Sequence, residues 1–214
     1  MNQDGIEVRP LKQMNGGSEF NETFLNDART PVDHIVGKRG EGWLVSRTTL
    51  KHERNSIGAA SQITAMFGGL LGFAKNTKRN GRPAIEDPII RDELATIEGY
   101  IKAHEYSGMR QFTKDTKGEH AGTISLMNKI HSTNIGNMVA KAALDIMGED
   151  GLMDPESRAE GAMGAIPTGA QMWLSQYMMS LGIAVAGGTA NIQRNVIAER
   201  GFGLPRDAAA NRSK

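Results

Sequence analysis

Ile90, Leu94, Ile97 and Ile101 recur at intervals of four, three and four residues. This spacing sets all four on one side of an α-helix, and an apolar stripe of that kind needs other helices to cover it. Asp87 followed by Pro88 supplies the start, because an aspartate accepts from the open N–H groups and proline is tolerated at the first helical position. Helical intervals continue on both sides. From Trp43 to Asn76 they include Leu50, Ile57, Ala60, Ile63, Ala65, Phe67, Leu70 and Leu71, with Gly68, Gly69 and Gly72 permitting close helix contact. From about Ala121 to Met147, Ile124, Met127, Ile135, Met138 and Ala142 fall roughly on one side, and Gly148 to Gly151 stop the run. After a loop between Asp154 and Pro167, a fourth helix is expected from Thr168 or Gly169 through Trp173, Leu174, Tyr177, Met178 and Leu181, and a fifth from Ala190 to Arg200. Five helices with short connections are most economically arranged as an antiparallel bundle.

Before Gly42 the period is different. Ile6, Val8 and Pro10 alternate with polar neighbours, Asn15-Gly16-Gly17-Ser18 reads as a turn, and Phe20, Glu22, Phe24 and Asn26 follow before Asp27-Ala28-Arg29-Thr30-Pro31 ends the run. Strand, turn and strand make a hairpin, which cannot bury an apolar face by itself. The expected fold is therefore mainly α: an antiparallel helical bundle preceded by a short β segment.

Composition narrows the function more than the fold. Twenty-five Lys and Arg against 24 Asp and Glu leave no basic excess for nucleic acid or a membrane surface. With no cysteine there is neither a disulfide framework nor a thiolate metal site. His34, His104, His120 and His131 lack metal-ligand spacing, so no metal is expected. No signal peptide and no apolar run of membrane-spanning length is visible, which makes the cytoplasm the expected compartment. Twelve methionines with few aromatics suit a pocket for a long apolar ligand and suit an ordinary helical core equally well.

Chemistry concentrates near the end. In Ala186-Gly187-Gly188-Thr189-Ala190-Asn191, glycines allow backbone to approach a flat or charged group, and Thr189 can cap the following helix. The segment Ala186 to Arg200, closing at Gly203-Leu204-Pro205-Arg206, closely resembles the final segment of the acyl-CoA dehydrogenases. Those flavoenzymes take two hydrogens from the α and β carbons of an acyl thioester. The resemblance runs in family order through nearly the whole chain: Gly17 to Phe24 with Asp27 to Pro31, then Val36-Gly37, Glu41-Gly42-Trp43, Thr49 to Arg54, and Ile192-Gln193-Arg194-Asn195 with Glu199-Arg200. It implies that residues 1–37 are a remnant of the family's middle β domain, 38–206 its C-terminal helical domain, and 207–214 a polar tail. The N-terminal helical domain and the earlier β domain of the family have no counterpart here.

The resemblance also implies roles. A catalytic carboxylate commonly stands where this chain has Gly187; a minority of the family carries the base on the first C-terminal helix, one residue before an arginine, as Glu53 precedes Arg54. Glu53 is the candidate base for the α proton, and a solvated helix carboxylate is its plainer reading. Arg54 matches a position near the thioester and pantetheine arm. Lys51 or His52 approaches the same ligand or belongs to an ordinary charged helix start. Gly187 and Gly188 match the turn whose N–H groups meet the thioester carbonyl, or form a plain glycine joint between helices. Thr189 and Asn191 match positions that touch FAD, though capping alone explains Thr189. Gly148 belongs to the family's adenosine half-site for FAD, where Asp145 and Glu149 replace a glutamine and a glycine; Thr77 with Asn80-Gly81 replaces an arginine and an aromatic-glycine pair. Lys78, Arg79 and Arg82 either substitute there or form a solvated loop.

The expected function is thus an FAD-dependent acyl-CoA dehydrogenase chain acting on a fatty or sterol-derived acyl-CoA. Electron-transfer flavoprotein or a similar acceptor is the expected redox partner, and other dehydrogenase chains complete a homo- or hetero-oligomer. A non-catalytic partner subunit of a heteromeric enzyme, or a flavin-free fragment that oligomerises through its bundle, are the alternatives.

Overall fold

The computed structural model describes residues 3–57, 60–119, 122–152, 166–167 and 169–206, without the side chains of 51–52 and 54–57. Among the described residues six α-helices follow an N-terminal hairpin: α1 (Gly42–Ile57), α2 (Ala60–Asn76), α3 (Pro88–Thr116), α4 (Thr123–Met147), α5 (Ala170–Val185) and α6 (Ala190–Val196). The expected run from Trp43 to Asn76 is described as α1 and α2, on either side of residues 58–59. Most of the loop expected between Asp154 and Pro167 lies outside the described residues, as do Ala121 and Thr168.

The stripe on α3 governs the core. Ile90, Leu94, Ile97 and Ile101 are all buried, and Asp87 caps the helix by accepting from the Ile89 N–H at 2.9 Å. They meet Ile63, Phe67, Leu70 and Ala74 of α2, Ile135, Val139, Ala142, Ala143, Ile146 and Met147 of α4, and Trp173 and Leu174 of α5. Helix α4 is central, in contact with α1, α2, α3, α5 and α6. A helix covered on more than one side loses its single apolar stripe. Accordingly Ile124 and Met138 are only half-buried and Met127 is exposed, while the small Ala140, Ala142 and Ala143 are fully buried. Of the three α2 glycines, only Gly69 is approached among the described residues: a Cβ there would lie 2.5 Å from Ile166 Cγ2 and 3.9 Å from the Trp173 ring.

The hairpin pairs β1 (Ile6–Leu11) with β2 (Phe20–Leu25) antiparallel, Ile6 opposite Leu25 and Leu11 opposite Phe20. Its turn is held by Asn15 Oδ1, which accepts from the Gly17 N–H at 3.0 Å, and by Gly16 at φ 80°. Arg9 lies 4.3 Å from the centre of the Phe24 ring and pairs with Glu7. Exposed contacts of this kind are worth little, and Phe20, Leu25, Val8 and Leu11 stay open to solvent.

Two elements differ from expectation. Residues 78–83, read as a loop, contain paired two-residue strands, β3 (Lys78–Arg79) and β4 (Arg82–Pro83), turned by Asn80 at φ 51° and Gly81 at φ 79°. The last helix changes pitch after Val196: Ile197–Gly201 is a π turn in which the Phe202 N–H donates to the Ile197 carbonyl at 3.1 Å. Gly201 packs there against Thr123 at the start of α4, at 3.1 Å from where its Cβ would be.

Candidate functional site

The glycine turn joins α5 to α6. Gly187 has φ 63° and Gly188 φ 98°, left-handed conformations that cost an L-residue about 1–2 kcal/mol each. A side chain at Gly188 meets a second obstacle, since its Cβ would lie 2.6 Å from Gln193 Nε2. Gly188→Ala is therefore expected to lower stability by about 1–2 kcal/mol, read in a thermal melt; an unchanged melt would show that the turn is not held in this form.

Gln193, almost fully buried at 1% exposure, turns its amide back and donates to the Gly187 carbonyl at 2.9 Å. Among the described residues, the N–H groups of Gly187 and Gly188 have no acceptor. Thr189 caps α6 through a long 3.4 Å bond from the Ile192 N–H, and Asn191 Oδ1 accepts from Arg194 at 3.1 Å. Both side chains are on the surface. The turn thus offers two backbone donors beside two exposed polar side chains, a set suited to a carbonyl oxygen and to the polar edge of a planar ring.

Glu53 lies on α1, exposed, with no ion pair or hydrogen bond among the described residues. The side chains of Lys51, His52 and Arg54 are outside the described residues. Helix α1 leans on α4, and so does α6, so the elements bearing Glu53 and the glycine turn share one support.

The Gly148 end of α4 is organised differently. Gly148 closes the helix at φ 62°, its N–H donating to the Leu144 carbonyl. Asp145 pairs with Lys141, one helical turn back. Arg79 reaches from β3 to donate to the Asp145 carbonyl at 2.8 Å and stands 3.7 Å from Asp87. A guanidinium on the last carbonyls of a helix satisfies groups that lack partners within it and complements their negative dipole. Arg79, expected as a solvated loop residue or a flavin contact, is thus tied to the helix end, while Lys78 and Arg82 remain exposed. Glu149 and Asp150 are exposed in the following 3₁₀ turn. The exposed carboxylates of Glu149 and Asp150 weigh against an anionic pyrophosphate at this end, whereas Lys78 and Arg82 are exposed and without an ion pair among the described residues.

Burial raises the pKa of Glu93 on α3, the Asp145 carboxylate raises it further, and Lys141 opposes both. A carboxyl that keeps its proton to higher pH when folded adds stability that is full below the unfolded value, about 4.3, and is lost as pH rises through the folded one. Glu93→Gln is therefore expected to raise the melting temperature at pH 7 and leave it nearly unchanged at pH 4. An equal gain at both pH values would contradict this origin.

Sequence reasoning missed two residues around the turn. Gln193 belongs to the Ile192-Gln193-Arg194-Asn195 string, where nothing in the sequence gives it a role of its own. Lys129 on α4 is 1% exposed, and its Nζ donates to the Ala184 carbonyl at 2.9 Å, at the last turn of α5. Its signal was available: a lysine three and four residues before Ser132 and Thr133, on a buried helical face.

Comparison with known proteins shows what this architecture is similar to. The family model "Acyl-CoA dehydrogenase, C-terminal domain" matches residues 40–202. The acyl-CoA dehydrogenase IpdE1 of Mycobacterium tuberculosis is 31% identical over 214 residues, covering 97% of this chain and 50% of that protein. The chain thus spans about half the length of the curated relatives it matches. Among solved structures, the Tcur3481-Tcur3483 steroid ACAD superposes with a TM-score of 0.74 at 24% identity, covering 95% of this chain and 50% of that one. The ChsE4-ChsE5 complex from Mycobacterium tuberculosis superposes with a TM-score of 0.69 at 21% identity, covering 95% and 51%. At these identities the structural matches speak for the fold.

Proposed function

The chain belongs to the acyl-CoA dehydrogenase family, and from that premise we propose that it is the C-terminal part of an FAD-dependent enzyme that dehydrogenates a fatty or sterol-derived acyl-CoA between its α and β carbons. The observation that carries the reading is the glycine turn. It presents the Gly187 and Gly188 N–H groups without acceptors among the described residues, in a segment that the family model covers. Donors held in place stabilise a thioester oxygen as it gains charge, and so acidify the α carbon. Glu53 takes the α proton, for which its carboxylate has no competing partner among the described residues. Arg54 and Lys51 bind the acyl-CoA. A bound flavin would supply the acceptor for the β hydride. Thr189 and Asn191 offer their exposed oxygen and amide groups to it. No contact is assigned to the Gly148 end, where Arg79 and Lys141 are already committed to Asp145. Residues 1–37 contribute to a β domain, and electron-transfer flavoprotein or a similar acceptor would take the electrons from a bound flavin.

A second reading has its own support. The committed state of Asp145, with Gly187 in place of a carboxylate, suits a chain that completes a heteromeric enzyme without catalysing. Two structural neighbours are named as pairs of different chains.

One preparation separates the readings. The chain is purified alone and with a co-expressed polypeptide corresponding to the relatives' other half, and flavin absorbance and acyl-CoA-dependent dye reduction are measured. The enzyme reading expects flavin and turnover in the complex. Flavin and turnover that persist in the complex after Glu53→Gln point to the partner role, and a complex with neither flavin nor turnover sinks both flavoenzyme readings.

A further inference from the structure

Two adjacent glycines are a poor place to hold a hydrogen-bond donor still, because glycine has more backbone freedom than any other residue. The structure nevertheless anchors this joint from both sides. On one side Gln193 reaches back across six residues to the Gly187 carbonyl, at 2.9 Å. On the other, Lys129 comes from α4, 55 residues away in sequence, to the Ala184 carbonyl, also at 2.9 Å. Both side chains are 1% exposed. A side chain with so little solvent contact keeps its partner, since leaving a buried donor unmet costs more than an exposed one.

The geometry of the peptide gives the first anchor a directional consequence. The Gly187 carbonyl and the Gly188 N–H belong to one planar peptide unit, and no cis peptide occurs among the described residues. The two groups therefore point in opposite directions. Gln193, by holding the carbonyl, aims the Gly188 N–H away from itself, toward the side where no described residue accepts it. Gly188 has no Cβ in part because the Gln193 amide occupies that space, 2.6 Å from where it would stand. Lys129 adds the height of the turn. It puts a cation on the end of α5, where helix carbonyls lack partners. A bond from Asn137 Nδ2 to Ser180 Oγ, at 2.9 Å, ties the same two helices one turn earlier on α5.

We infer that Gln193 and Lys129 are positioning residues that clamp the Gly187–Gly188 turn, so that its N–H groups face a thioester carbonyl without having to be ordered on binding. The inference rests on the reading of the turn as the carbonyl site, and the clamp itself is measurable without that reading. Neither residue touches substrate. Their contribution is preorganisation, which lowers the ordering cost at the moment of reaction.

The test is ¹⁵N relaxation of the full chain. In the native protein the Gly188 N–H is expected to be as rigid as helix backbone, with an order parameter of about 0.85. Gln193→Met keeps the length and loses the donor, and should drop that value below about 0.6 while α2 to α4 remain unchanged. Gln193→Glu supplies a readout that mere packing would not move. Its buried carboxyl has a raised pKa; protonated it can still donate to the Gly187 carbonyl, and ionised it repels it. The Gly188 N–H should be rigid at low pH and mobile at high pH in this variant alone. Lys129→Met should loosen Ala184 to Ala186 in the same way. A native Gly188 already below about 0.6, no change in Gln193→Met, or no pH dependence in Gln193→Glu each overturns the clamp. Should Gln193→Met unfold the chain, Gln193→Glu decides alone. In the active complex, Gln193→Met is expected to lower kcat by roughly tenfold, a fraction of what losing such a donor costs, with KM little changed; an unaltered kcat removes the catalytic consequence. If the native complex turns over no acyl-CoA, the proposed function has failed, and the relaxation data still judge the clamp.

Discussion

Glu53→Gln is expected to lower acyl-CoA turnover by about 10²- to 10⁴-fold, the usual contribution of a positioned general base, with flavin content unchanged. The amide has nearly the shape of the carboxylate but cannot accept the α proton. Nothing in the described structure depends on the charge of Glu53, which is exposed on α1 and pairs with no described group. Loss of folding is therefore not an expected route to loss of activity. Gly187 cannot stand in: it has no side chain, and at φ 63° it holds a conformation that side chains resist. Rapid-mixing measurements of flavin bleaching would read the chemical step directly. Bleaching at the native rate in Glu53→Gln would remove this residue from the mechanism and leave the chain without an identified base.

The largest effect on stability is expected from Trp173→Ala, at about 3–5 kcal/mol. Trp173 is fully buried on α5, with its ring 6.0 Å from that of Phe73 on α2, tilted by 46°. It packs over Gly69 and holds α5 to the rest of the core, which buries little else from that helix besides Leu174. Truncation leaves a cavity that helices already fixed by α3 and α4 cannot close. For a chain of this size a loss of about 3–5 kcal/mol corresponds to roughly 6–20 °C in melting temperature. Trp173→Phe is expected to cost far less. It preserves most of the ring volume and removes an indole N–H that has no hydrogen-bond partner among the described residues. Equal losses from both variants would mean that the indole nitrogen has a partner of consequence.

The two substitutions probe different parts of the chain, and they differ in how far sequence anticipated them. Helix α3 was legible from its capped start at Asp87 through its stripe to Ile101, which has one period and one buried side; its continuation to Thr116 and the burial of His104 were not. Helix α4 was legible only in extent. It is covered from several directions, so its buried set includes Lys129, Ser132 and Thr133 along with alanines, and no single apolar face marks it. Arg79 reads as a surface cation in any local window, because its partners at Asp145 and Asp87 belong to other elements.

Sequence by itself determined the helical class, the hairpin ahead of the bundle, the glycine joint at Gly187 and Gly188, and the likeness to a family whose C-terminal domain model covers residues 40–202. These depend on local spacing, turn chemistry and ordered motifs, all of which are written along the chain. Only the tertiary structure decided that Gln193 turns inward to the Gly187 carbonyl, that Lys129 is buried against the end of α5, and that Arg79 closes α4. The physical reason is of two kinds. Gln193 and Lys129 are buried polar groups that must find a partner wherever the fold brings one within about 3 Å. Arg79 is an exposed cation drawn to the negative end of α4, and for Lys129 and Arg79 the partner lies more than fifty residues away along the chain.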